Sequence, residues 1–375
     1  MIVAAAIIVL YGSSLGYGLD WDDYHFVHRY TWSDVADAWT GSWDRTAIEA
    51  PFYRPLTVAF FAARSSAFGV NTLALHALSL VLTVLIGFAG LRWLSALGYS
   101  ALPATLGTLA LLMHPAMALA GPLWITNQMH LLQLMVALTM LALASKGTTR
   151  WPAILALQIV ALLIKEDSAM LAPVVAGLWW LTGREISRRW VLATGIAVAA
   201  WLIVRTVALH GLGGYQGDVT GAPIANVLSV LLWMVMPTGN LWPALVLTLG
   251  VTFISIVWRR DSTALGTAAL MAVLFVAPLA LARGLNRGHL VMIPIALVLA
   301  EVISRPPPQK SLVAVLPALV LLGWWSTVTH TIIGLHAPCG TVVRSHDVDV
   351  AHWIADGHID PNTVELFTAK ACPSV

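Results

Sequence analysis

The sequence is short of charge. Only 10% of its 375 residues are Asp, Glu, Lys or Arg, whereas soluble globular domains carry roughly 25%. That shortfall argues against a water-soluble domain. No basic stripe with interleaved aromatics appears, so a nucleic-acid partner has no electrostatic footprint. The first apolar run, 2–19, has neither a basic leader nor a clear small-residue cleavage site, and is expected to stay as a span rather than be removed as a signal peptide. Cysteine is scarce: Cys339 and Cys372 are the two present. Both fall near the C-terminus, where an oxidising compartment would permit a disulfide between them; two unrelated thiols are the alternative.

What the sequence has instead is apolar length. Hydrophobic residues make up 59% of the chain, and long charge-free runs recur to about Thr329. A bilayer core about 30 Å thick needs about 20 apolar residues per helix. Eleven spans are read, at about 2–19, 72–95, 101–120, 126–145, 151–165, 168–183, 190–209, 239–258, 263–282, 288–304 and 311–329. Two further apolar stretches, 55–68 and 224–237, are short and interrupted, and suit re-entrant or interfacial segments. The expected fold is an all-α polytopic membrane protein, with a transmembrane module over 1–329, a first loop over 20–71, and a small tail over 330–375.

Charge sets the expected orientation. With the N-terminus inside, the short inner loops hold Arg92, Lys146, Arg150, Arg184, Arg188, Arg189, Arg259, Arg260, Arg305 and Lys310, against Glu185, Asp261 and Glu301. The outer segments hold the other ten basic residues and fifteen acidic ones. Dense positive charge in short loops marks the cytoplasmic side. The first loop and the C-terminal tail are therefore expected outside.

The chemically informative residues all fall on that outer side. Asp20, Asp22 and Asp23 place three carboxylates in four residues directly after a span, in Asp20-Trp21-Asp22-Asp23-Tyr24-His25-Phe26. Adjacent carboxylates repel, which favours one proton-accepting member; a solvated acidic loop is the plainer alternative. Tyr53-Arg54-Pro55 sits at an interface, where an Arg holds phosphate or carboxylate or serves as an anchor. Lys165-Glu166-Asp167 lies between two short apolar runs, which draw it toward hydrocarbon, where charge is costly and tends to be functional. Arg283 and Arg287 are cations on the side where positive charge is disfavoured, and Arg205 is a weaker case of the same kind. A cationic pocket at lipid head-group depth suits a phosphorylated lipid. His114-Pro115 lies near the outer end of the third span, and His130 follows, read as a satisfied interior residue. The tail histidines His330, His336, His346, His352 and His358 match no metal-ligand spacing.

In this order the motifs resemble a family, the GT-C glycosyltransferases that use polyprenyl-phosphate sugars, especially the protein O-mannosyltransferases and their relatives. Trp21-Asp22-Asp23-Tyr24-His25-Phe26 is similar to the family's acidic pair followed by a spaced histidine. Phe52-Tyr53-Arg54-Pro55-Leu56-Thr57, then Phe68-Gly69-Val70-Asn71 and His76, look like stretches of the animal branch that carries TPR repeats. His114-Pro115, Lys165-Glu166, and Asn286-Arg287 with Pro294 are similar to further motifs of that branch. The sequence departs from the family at Asp23 and Asn286, where Glu is usual, at Gly288, where an aromatic is usual, and in showing no TPR repeats.

The resemblance covers about 1–304. It implies an inverting transfer of a sugar from a polyprenyl-phosphate carrier to a hydroxyl of a glycan, lipid or protein acceptor, outside a bacterial inner membrane. Asp22 is the implied base. Asp23 would orient the acceptor or, with Asp22, help hold a divalent metal, which some GT-C enzymes use. Arg54, Lys165, Arg287 and Arg283 would neutralise the lipid phosphate. Glu166, Tyr53, His25 and His114 would orient substrate. Two rival classes are a lipid-linked-sugar flippase, which should show inverted repeats and midplane charges, and a non-catalytic glycolipid-binding subunit.

Overall fold

The computed structural model describes residues 2–19, 23–27, 30–44, 51–211, 213, 263–276, 289–304, 315–316 and 318–333, without the side chains of Tyr24, His25 and Val276. Asp22, Arg283, Arg287, Cys339, Cys372, the predicted spans' segment 239–258 and the stretch 224–237 lie outside the described residues.

Among the described residues every regular element is helical. The helices are α1 (Ile2–Tyr11, continued as a 3₁₀ turn Gly12–Gly16), α2 (Asp23–Phe26), α3 (Trp32–Asp37), α4 (Pro55–Phe68), α5 (Thr72–Ala96), α6 (Ala101–Met113) and α7 (Pro115–Leu119). There follow α8 (Gln128–Ser145), α9 (Trp151–Ile164), α10 (Leu171–Leu181), α11 (Arg188–Ala208), α12 (Thr263–Val276), α13 (Met292–Ser304) and α14 (Ala318–Ile333). Three of them, α5, α8 and α11, are long and apolar enough to cross a bilayer by length and composition, and six apolar segments of 10–17 residues accompany them. The described helices fall on ten of the predicted spans, with shifted ends.

Local chemistry sets several of those ends. Asn71 caps α5 by accepting from the Ala74 amide at 3.1 Å, and Ser187 caps α11 through the Trp190 amide, each meeting an amide that the helix leaves unpaired. The predicted span 101–120 is not one helix. Pro115 has no amide hydrogen and pushes the residue before it out of helical geometry; His114 is extended, at ψ 134°, and the chain restarts as α7.

The core is built on α5 packed against α8 and α6 packed against α13, with α1, α9, α10 and α12 around them. Within a bilayer such packing depends on close contact rather than on expulsion of water. Gly107 on α6 shows this: a Cβ there would lie 2.7 Å from the Ala296 carbonyl of α13. Buried aromatics add directed contacts. Trp179 donates to the Ala144 carbonyl at 2.9 Å, and Tyr11 to that of Leu112 at 2.5 Å. α11 instead shows Leu192, Ile196, Ile203 and Val207 exposed on its outer face, which suits contact with lipid and not with water.

The helices alternate so that one end of the bundle gathers the first loop, the 114–128 segment, the 165–170 turn and His289. Hydrogen bonds tie these parts together: Thr57 to the Ile164 carbonyl, Gln133 to Ser168, His289 to Gln133, and Thr329 to the Met113 carbonyl. At the opposite end Tyr99 meets Glu301 at 2.5 Å.

Candidate functional site

The first loop reaches this end with a small core of its own. Phe26, Tyr30, Trp43, Phe52, Phe61 and Met129 pack together there, and Phe26 stacks on Trp43 with centroids 4.4 Å apart. Thr31 and Asp34 form a capping box at the start of α3, with Thr31 N to Asp34 at 2.5 Å and the reciprocal bond at 3.3 Å, satisfying both ends of that turn.

Asp23 is wholly buried and faces protein, not solvent. Its Oδ1 accepts from the Thr126 amide at 2.6 Å and from Thr126 Oγ1 at 2.8 Å, and its Oδ2 accepts from the Ile125 amide at 3.2 Å. Arg64 of α4 works on the same turn from the other side. It donates to the Phe26 carbonyl at 2.8 Å, the Ile125 carbonyl at 3.2 Å and Gln128 Oε1 at 3.1 Å, and its guanidinium lies 4.4 Å over the Phe61 ring. Asp23 and Arg64 together clip the acidic loop segment onto the turn that leads into α8. Asp23 is thus tied into structure through both oxygens, and Arg64, which the sequence reading passed over inside an apolar stretch, is as much a part of the arrangement.

Three residues after Thr126 comes Met129, whose sulfur lies 3.6 Å from Arg54 Nη1. Arg54 is buried, sandwiched 4.0 Å from the Phe52 ring and 4.5 Å from the Trp43 ring. Its fork meets Glu166 in two bonds, Nε to Oε2 at 2.9 Å and Nη2 to Oε1 at 2.6 Å, the paired geometry that a guanidinium matches and an ammonium does not. Burial alone would raise the Glu166 carboxyl, but the Arg54 fork, and to a lesser degree Lys165, outweigh it and hold the group below the usual carboxylate range.

Lys165 is also buried and meets Asp167 Oδ2 at 3.0 Å. Burial pulls its ammonium below the usual lysine range, against the opposing charges of Asp167 and Glu166. Arg205, at the last turn of α11, stands within electrostatic reach of Glu166 and Arg54. Its guanidinium lies 5.7 Å from the Trp201 ring.

The structure brings Arg54, Glu166 and Lys165 together, with Glu166 paired to Arg54 and Lys165 to Asp167, and links them through Met129 and the 125–126 turn to Asp23. Tyr53 adjoins them and donates to the Trp39 carbonyl at 3.3 Å, so it steadies the first loop. His114 is placed elsewhere: its Nδ1 accepts from the Ala116 amide at 3.1 Å and its ring meets Trp325 edge-on at 4.9 Å. Its visible work is to start α7. Two participants carried no charge signal in the sequence. Gln133 donates to Asp167 and Ser168, and His289 lies stacked on His130 with centroids 4.3 Å apart.

A divalent metal fits Asp23 poorly, because three donors already occupy its oxygens. Among the described residues no group of three or more His, Cys, Asp or Glu is placed to hold an ion.

No family model matches the chain, and no curated protein matches it. Among solved structures it is similar to the crystal structure of ArnT from Cupriavidus metallidurans bound to undecaprenyl phosphate, with a TM-score of 0.54 and 15% identity over 98% of this chain and 76% of that one. At that identity the likeness is one of fold.

Proposed function

We propose that this chain is a GT-C-type membrane glycosyltransferase that moves a sugar from a polyprenyl-phosphate carrier to an acceptor hydroxyl on the extracytoplasmic face. The observation that carries the reading is the collection of buried cations, Arg54, Lys165 and Arg205, at one end of the helical bundle. Buried charge is expensive in a membrane and is kept where function needs it. Two further supports are the order of the sequence motifs and a fold shared with a protein solved with a polyprenyl phosphate. A flippase reading would put charge near the midplane between repeats, whereas these cations sit at a helix-terminal end.

Transfer with inversion needs few groups. The acceptor oxygen attacks the anomeric carbon, its proton passes to a carboxylate, and the bond from carbon to phosphate oxygen breaks with its electron pair left on the phosphate. Asp22 is the proposed base. Its neighbour Asp23 fastens its own position to Ile125 and Thr126. Lys165, with Arg283 and Arg287, offsets the charge that builds on the phosphate. Arg54 adds to that field and keeps Glu166 ionised and oriented beside the sugar. His25 is the proposed orienting residue for the acceptor, and Tyr53 supports it by steadying the first loop. The lipid enters sideways between helices, because its tail stays in hydrocarbon. No step is routed through a metal.

Mass spectrometry of lipid co-purifying with the protein tests the substrate class, and a polyprenyl phosphate or its glycoside is the expected species. Asp22→Asn should abolish transfer and leave membrane insertion and lipid co-purification intact. Full transfer by that variant would remove the base assignment, and co-purification of ordinary phospholipid alone would remove the carrier.

A further inference from the structure

Beside the cations runs a second polar line that the roles above do not use. Asp167 meets Lys165 through Oδ2 at 3.0 Å and accepts through Oδ1 from Gln133 Nε2. The same amide nitrogen donates to Ser168 Oγ at 2.7 Å. A carboxylate can only accept, so the Gln133 nitrogen must face Asp167 and its oxygen must face away. There His289 Nε2 stands 2.6 Å from Gln133 Oε1. His289 therefore donates through Nε2, and its neutral ring is the Nε2–H tautomer. This ring lies nearly flat on His130, at 4.3 Å and 18°, with both rings buried. A proton on each would set two like charges face to face, so the pair works as a site for one proton. Among the described residues, Asp167 and Lys165 are the charged groups bonded into this line, Glu166 and Arg54 stand within electrostatic reach of Lys165, and Arg205 within reach of those two.

We propose that Gln133 is a positioning residue that couples the charge of the His130–His289 pair to Lys165, so that anion capture at Lys165 strengthens when the pair takes a proton. The inference rests on the reading of Lys165 as a phosphate-binding group. Protonated His289 still donates through Nε2, but as a cation it makes the stronger bond. That bond polarises the Gln133 amide, whose N–H draws Asp167's charge toward itself. The Lys165 ammonium is then less neutralised and faces an incoming phosphate with more of its charge. Linkage makes the effect reciprocal, with phosphate binding promoting proton uptake by the pair. The coupling is read by comparing binding at pH 6 with binding at pH 8.

The test measures undecaprenyl phosphate binding to the full chain in phosphatidylcholine nanodiscs, for the natural protein and for Gln133→Leu. The ligand's own titration is common to both proteins and cancels in the comparison. The affinity ratio between pH 6 and pH 8 should be about fivefold larger in the natural protein, at the low end for coupled sites. Equal ratios in two proteins that both bind would overturn the coupling and leave Lys165 as a phosphate group. No binding by the natural protein at either pH would sink the phosphate reading and this inference with it. Should the Gln133→Leu variant fail to fold, side-chain nitrogen NMR of the natural protein still decides. An Nε2–H signal for His289 is expected, and an Nδ1–H tautomer overturns the proposal.

Discussion

The two ends of the bundle handle positive charge in opposite ways. At the end predicted to face the cytoplasm, Arg92, Lys146, Arg150, Arg188 and Arg189 are exposed, and their number and position matter more than their partners. At the other end Arg54, Arg64 and Lys165 are buried, each against a carboxylate, a carbonyl or an aromatic face. Exposed cations stay solvated and contribute little to stability. Buried ones hold only while every partner is present. In the function proposed above, one end sets orientation and the other carries the chemistry.

That contrast can be broken by substitution. Arg64→Met should do the most damage, leaving the Phe26 and Ile125 carbonyls without their donor and removing a cation beside Asp23; a loss of about 4 kcal/mol in unfolding free energy in detergent is expected. Arg54→Met strands Glu166 and should lose about 3 kcal/mol, along with donor binding. Asp23→Asn keeps the shape but sets a donor nitrogen against one of the two amides, that of Ile125 or that of Thr126, for about 2 kcal/mol in the same assay. Arg188→Gln at the other end should shift unfolding by less than about 0.5 kcal/mol. Equal effects from Arg64→Met and Arg188→Gln would erase the distinction.

Acid sharpens it further. Glu166 is held ionised below the usual glutamate range, so its pairing stabilises the fold above the unfolded value of about 4.3 and is lost as pH falls through the lower folded one. In melting curves taken from pH 7 down to pH 3, the gap between the natural protein and Glu166→Gln should persist at pH 5 and begin to shrink only as pH falls below the unfolded value of about 4.3. A gap already closed at pH 5 would contradict the Arg54–Glu166 assignment.

Much of this was legible in the chain. Charges inside apolar runs are rare enough to stand out, which is why Arg54, Lys165 and Glu166 could be picked out from their neighbours alone. Asp23 was visible as an acid, but its partners Ile125 and Thr126 lie about a hundred residues away in sequence, and no local pattern shows that its oxygens are engaged. Arg64 hid inside a stretch expected to be interfacial. Gln133 carries no charge, and His130 taken singly reads as interior filling; only folding sets it against His289. The break at His114-Pro115 is written in the proline, although the apolar length of 101–120 predicts one continuous span.

The clip made by Asp23 and Arg64 has a mechanical consequence. Because Asp23 is fastened to the turn that opens α8, the short helix it begins cannot swing as an independent flap. Any rocking of α8 carries Asp23 with it, and since Met129 lies on the same helix against Arg54, the Asp23 clip and the Arg54–Glu166 pair move as one piece.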